Sequence, residues 1–319
     1  MNPEQPVPAG GYNPNSVGRT KAGWLLFKES LKVLKSDDTL FRYVIVSSLF
    51  NLLVLIVFGV IGVLGHKELF RTTTNANNQS TAVPTVLGVV YILVYYILAY
   101  FIVNLYSAGL AINVLDLYQG KKQSYGAYMK HARSRGWPIF VFSVIEATVG
   151  MILRAIAERS KLIGKIIVSI IGTAWSIARL FVVPIIVSTD EGAVPAIKDS
   201  TKLLIATWGE NIVGRVSMSI VIFVLILIMV PVSILLVFAG VAIGHAIDGN
   251  AGTGPGILVS CALIVLLFVI ASVIIAAANN VLNVTLYYYA KTKHIPQAYN
   301  PEVLNSVFTH KKSKASNIF

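Results

Sequence analysis

Six stretches of this chain run for about twenty residues or more with hardly a charge in them: 41–64, 86–117, 138–157, 163–187, 212–243 and 257–289. Nothing constrains a fold more. About 20 apolar residues suffice to cross a bilayer as a helix. Inside hydrocarbon every backbone N–H and C=O needs a partner within the protein, which leaves only helices and closed barrels. Runs this long and this uninterrupted are helical rather than barrel strands. The predicted fold class is all-α: a polytopic membrane bundle of six transmembrane helices with amphipathic helices in the cytoplasmic interface and an internal parallel repeat. Three runs exceed 30 residues, so they tilt, kink or leave the membrane, and Pro231 is the expected kink in the fifth.

The rest of the composition agrees. Of 319 residues, 55% are hydrophobic and only 13% charged, against about a quarter charged in soluble domains. The first apolar run begins near residue 41, behind a polar lead without a small-residue cleavage site, which does not read as a signal peptide. Residues 1–19, rich in Pro, Gly and Asn, and the basic tail 303–319 are expected to be disordered. The membrane domain is expected over 20–302.

The net charge of +12 has a one-sided distribution. With six spans, most of the 26 Lys and Arg fall before the first run, in 117–137, in 188–215 and after 289. That excess places both termini in the cytoplasm of a cell (plasma) membrane protein. Four basic residues around 158–162 run against the rule. The basic face is expected to meet anionic lipid head groups, with no nucleic acid as partner; a protein partner is left open. Asn78-Gln79-Ser80 matches a glycosylation acceptor in the opposite loop, meaningful only outside bacteria.

Shifting the sequence by 170 residues superposes two distant segments without gaps. FKESLKVL (27–34) lies over IKDSTKLL (197–204), and NVLDLYQGK (113–121) lies over NVTLYYYAK (283–291). One offset serving both ends implies duplicated units, 22–121 and 192–291, around a middle hairpin, 122–191, that reads as a shorter third copy. Each unit opens with a basic amphipathic segment. In the first, Trp24, Phe27, Leu31 and Leu34 fall near one face and Lys21, Lys28, Lys32 and Lys35 elsewhere, the pattern of a helix lying in the interface. The second, 194–208, reads likewise, with Pro195 suited to the first turn.

Within the apolar runs, Glu146 and Arg179 are the charges that need answering. Each lies eight residues from the cytoplasmic end of the hairpin formed by the third and fourth runs, roughly 12 Å deep. A Glu146–Arg179 ion pair is therefore predicted, with Ser143 and Ser176 as helpers, because such a pair offsets its desolvation only when hydrogen bonds complete it. It reads as a tie between neighbouring helices, since no further ionisable group stands in register with it. The alternatives are a gating or proton-coupling pair, or Arg179 snorkelling to the interface. Asn104, Asn113, Asn279, Asn280 and Asn283 punctuate the second and sixth runs; they line a polar cavity or make interhelical hydrogen bonds. The Gly172–Ser176 spacing suggests close packing.

Catalysis finds no support. The five histidines are scattered, no cluster has metal-ligand spacing, and Cys261 is the single cysteine, which excludes an intrachain disulfide. The glycine-rich 249–256 follows no strand, so it reads as a flexible loop between spans rather than a nucleotide cradle, and Gly164-Lys165 lacks the rest of a P-loop. No cofactor and no metal is expected.

Four segments carry a resemblance: 23–40, 147–160, 172–214 and 286–308, with Trp208-Gly209 after the fourth run and Leu286-Tyr287-Tyr288-Tyr289-Ala290 after the sixth. Over about 20–310 the chain is similar to a family of uncharacterised six-span prokaryotic integral membrane proteins bearing a Trp-Gly and a Leu-Tyr-x-Tyr-Ala motif. The resemblance implies a six-span membrane fold and no activity, substrate or site. The expected function is a non-enzymatic membrane scaffold or accessory protein. The alternative is a transporter or lipid-handling protein with a polar site between the repeats near Asn113 and Asn283.

Overall fold

A computed structural model describes residues 19–74, 80–160, 162–208, 219–301 and 304. Most of the two tails, Asn78 and Gln79 of the glycosylation acceptor, Gly209 of the Trp-Gly motif and the start of the fifth apolar run lie outside them. The chain divides into two compact units: one holds 38–209 with 283–292, the other the remaining residues.

Among the described residues the architecture is all-α apart from one small hairpin. In the first unit, α2 (Thr39–Leu64) leads through α3 (His66–Leu69) into β1 (Phe70–Thr74), which pairs antiparallel with β2 (Ser80–Pro84) from Phe70↔Pro84 to Thr74↔Ser80. The loop expected between the first two apolar runs is thus partly a β-ribbon, with threonines at Thr72, Thr73 and Thr74 suited to strands. Thr85 then caps α4 (Val86–Tyr118), its hydroxyl accepting from the Gly88 N–H at 3.1 Å. After α5 (Tyr125–Ser134) comes α6 (Gly136–Arg159). Helix α4 is the hub and packs against α2, α5, α6 and α8 (Val182–Ser188).

The fourth apolar run is not one helix. It forms α7 (Leu162–Ala178) and α8, separated at Arg179–Phe181. Pro184 is the cause: it has no N–H for the Leu180 carbonyl, and its ring crowds that same group. The breach is closed locally. The Leu180 N–H bonds Ile177 O at 3.1 Å, and the Phe181 N–H donates to the Ser200 hydroxyl of α9 (Ala193–Trp208) at 3.2 Å. At the far end of α8, Arg135 donates to the carbonyls of Ile186 (3.0 Å) and Glu191 (2.6 Å), a cation placed where helix carbonyls are unsatisfied.

In the second unit, α1 (Arg19–Ser36) buries Leu26, Phe27, Ser30, Val33 and Leu34 and exposes Lys28, Lys32 and Lys35. The buried stripe is rotated from the expected one, because Trp24 is exposed and Leu31 half-buried. Positions related by the 170-residue shift share their burial in α9. Ala196, Ser200 and Leu204 are buried like Leu26, Ser30 and Leu34, and Lys198 and Lys202 are exposed like Lys28 and Lys32.

The last element, α10 (Ser219–Thr292), doubles back on itself. The reversal takes two residues, Asp248 and Gly249, and Gly249 has φ +53°, a backbone region that glycine enters freely. Gly244 and Gly252 on the two arms leave no room between their backbones for a side chain, and Gly240 and Gly256 repeat this one turn away. The glycine-rich segment is therefore helix packed on helix, not a flexible loop. Pro231 and Pro255 sit within helical backbone, and the reversal lies at Asp248–Gly249.

Among the described residues five helices, with α7 and α8 taken together and α10 counted once, are long and apolar enough to cross a membrane. Their outer faces carry exposed Leu49, Leu53, Ile56, Val60 and Leu64 on α2 and Ile166, Ile167 and Ile170 on α7. Contiguous apolar surface of this extent marks a membrane-embedded protein.

Candidate functional site

The polar centre of the first unit forms where α4, α6 and α7 meet. Glu146 on α6 is buried, 4% exposed. Its Oε1 accepts from Arg179 Nη1, and its Oε2 accepts from Asn104 Nδ2 on α4 at 2.8 Å. The same Asn104 amide reaches Ser143 Oγ at 3.0 Å, and Ser143 donates to the Ile139 carbonyl at 2.8 Å. Both carboxylate oxygens of Glu146 are thus answered, by a cation and by an amide.

Three helices contribute because their registers coincide. As α4 advances by four residues α6 retreats by four: Tyr96 beside Arg154, Tyr100 over Gly150, Asn104 on Glu146. Helices α6 and α7 keep step similarly, with Gly172 facing Leu153, where an added Cβ would lie 3.9 Å from the leucine, and Arg179 facing Glu146. The break before Pro184 leaves Arg179 at the end of α7, its side chain 43% exposed.

Of the residues singled out in the sequence, Glu146, Arg179, Asn104 and Ser143 are brought together. Ser176 is not; it is exposed on α7. Asn113 goes elsewhere, donating to Thr39 Oγ1 at 2.8 Å. Asn279, Asn280 and Asn283 are half-buried along α10. A cavity of about 550 Å³ between the arms of α10 is lined by apolar residues with Asp248 and Ser260, and by none of the five asparagines. Among the described residues no cluster of His, Cys, Asp or Glu could hold a metal.

Sequence reasoning missed two features. The expectation that nothing ionisable stands in register with the pair fails. Tyr100 lies close enough to both Glu146 and Arg179 to interact with their charges, and Arg154, paired with Glu158 at 2.8 Å, continues the row. The i, i+4, i+8 spacing of Tyr96, Tyr100 and Asn104 was the available signal. The second is the role of the tyrosine motif. Tyr287 bonds Ser188 at 2.6 Å and meets Phe181 edge-on at 5.8 Å, while Tyr288 packs on Tyr118. The end of α10 is thereby fastened to α8 and α4.

A family model described as a family of unknown function (DUF6159) matches residues 86–296, from the start of α4 to just beyond α10, a narrower stretch than the 20–310 of the resemblance. The chain belongs to this family. No curated protein and no solved structure matches it.

Proposed function

We propose that this member of a family of unknown function is a non-enzymatic multi-pass protein of the plasma membrane, a scaffold or accessory protein acting through lipids and partner proteins, with both termini cytoplasmic. One observation carries the reading: the buried Glu146 and Asn113 within the apolar helices are each bonded to partners in the chain. Glu146 is saturated by Arg179 and Asn104, and Asn113 is tied to Thr39. A fully satisfied network fixes helices together; a substrate or proton site needs groups left over. The exposed Lys28, Lys32 and Lys35 of α1, with Lys28 lying 5.7 Å over the Trp24 ring, suit an anionic head-group surface.

A transporter or lipid-handling protein with a polar site between the repeats is the second reading. The broken fourth run favours it, because discontinuous helices hold substrates in transporters. Against it, the N–H groups at the break are already bonded within the chain.

Native mass spectrometry in native-lipid discs tests the choice. The expected result is a bare chain, or one retaining lipid or a protein subunit. A stoichiometric water-soluble ligand, lost on changing Asn113 or Asn283 to Ala, overturns the scaffold reading.

A further inference from the structure

The α4–α6 seam carries more than a structural tie. From Glu146 a row of polar groups runs along it through Tyr100 and Tyr96 to the Arg154–Glu158 pair, a climb of about 12 Å from Glu146 to Arg154 at the helical rise. The row is open to the side. Gly150 is exposed, and a Cβ built on it would find only the Tyr100 hydroxyl, 4.0 Å away, within contact range. The surface on either side is apolar and exposed, with Val94 and Leu98 on α4 and Ile152 and Ile156 on α6. Two guanidiniums are involved: Arg154 donates through Nε to Glu158 and also bonds Tyr96, and Arg179 Nη1 donates to Glu146. A guanidinium has five N–H donors. The remaining donors lie on exposed surface flanked by apolar side chains, a setting that suits a partner rich in acceptor oxygens with an apolar body.

We propose that this seam binds the headgroup of a phospholipid, whose phosphate sits against Arg154, Tyr96 and Tyr100 in the notch left by Gly150, below the membrane surface. The alternation of Arg and Glu along the row suits a zwitterionic head such as phosphoethanolamine, with its ammonium on Glu158. The acyl chains lie on the flanking Val94, Leu98, Ile152 and Ile156. The site is distinct from the basic collar and from the asparagines, and it rests on the membrane-spanning part of the reading above.

Photo-crosslinking in phosphatidylethanolamine vesicles tests it, using one phosphatidylethanolamine photoreactive at the headgroup and another photoreactive at the acyl end. The expected result is headgroup adducts on peptides covering 94–100 and 150–158, reduced at least fivefold by Gly150→Leu and by R154Q and unaffected by Gly150→Ala. Thermal unfolding of the same samples shows whether each variant is folded; R154Q alters an exposed pair and the contact with Tyr96 and leaves the buried core untouched, so it keeps the test alive if Gly150→Leu unfolds. Headgroup adducts within twofold of wild type in folded R154Q, or adducts mapping away from α4 and α6, overturn the proposal. So does loss of adducts on adding inorganic phosphate, which identifies a free-anion site. Acyl-end adducts on the other apolar helices separate the two claims: their presence without seam adducts defeats this site alone, and their absence defeats the membrane-spanning reading.

Discussion

Tyr118 and Tyr288, which fall on one another when the sequence is shifted by 170 residues, meet edge to face with ring centroids 5.3 Å apart. The Tyr118 hydroxyl lies 2.7 Å from Thr285 Oγ1, one turn before Tyr288. The ends of α4 and α10 are therefore joined by two residues at equivalent places in the sequence. An edge-to-face pair is worth about 0.5–1.5 kcal/mol beyond the area it buries. A double-mutant cycle of Tyr118→Leu and Tyr288→Leu, read by thermal unfolding in detergent, is expected to return a coupling of that size. Additive losses would mean that the rings merely fill space.

The Glu146–Arg179 pair gives an asymmetric expectation. Removing one partner of a buried pair costs about 3–5 kcal/mol, and the partial exposure of Arg179 brings Glu146→Gln and Arg179→Gln to the low end or below. The double variant is expected to be more stable than Arg179→Gln alone, because the buried carboxylate is no longer stranded. Asn104→Leu is expected to destabilise as well, by about 1–3 kcal/mol for the unsatisfied Oε2. Melting temperatures at fixed detergent and pH rank the four proteins.

The α10 hairpin separates glycines that must be glycine from those that need not be. Gly244→Ala and Gly252→Ala force a methyl into the facing backbone and are expected to cost about 1–3 kcal/mol. Gly249→Ala holds an L-residue at φ +53° and ψ −137°, also about 1–3 kcal/mol. At Gly254 a Cβ meets nothing within 4 Å, so Gly254→Ala is expected to be neutral or slightly stabilising. Limited proteolysis around 244–256 reads the series directly.

Glu29 of α1 makes the fastening of α1 pH-dependent. Burial raises its pKa above the usual carboxylate range; the Asn300 N–H on Oε1, at 3.1 Å, and nearby Lys32 oppose this without cancelling it. Oε2 is buried without a partner. A carboxyl whose folded pKa is raised binds more protons folded than unfolded. Stability is therefore lost as pH climbs from the unfolded value through the folded one. Relative to Glu29→Gln, wild type is expected to unfold at matching temperature in mild acid and at a lower temperature at neutral pH. A difference that does not vary with pH would refute the assignment.

Much of this protein was legible in its residues. Long apolar runs dictate helices because hydrocarbon leaves the backbone no other partner, and the runs 41–64, 86–117 and 138–157 fall within α2, α4 and α6. The Glu146–Arg179 contact was legible too, since a tight antiparallel hairpin leaves little freedom of depth and few charges to choose from. The break before Pro184 was written in the chain but hidden by the hydropathy around it. What only the tertiary structure decided is rotational phase. Asn104 joins Glu146 while Asn113 turns to Thr39, the stripe of α1 buries Leu26 and Val33 rather than Trp24, and the glycines after Asp248 become a packing face instead of a loop. Hydropathy and spacing are properties of one segment at a time. Which face of a helix meets its neighbour depends on how two surfaces interlock, and that is settled only when both are present.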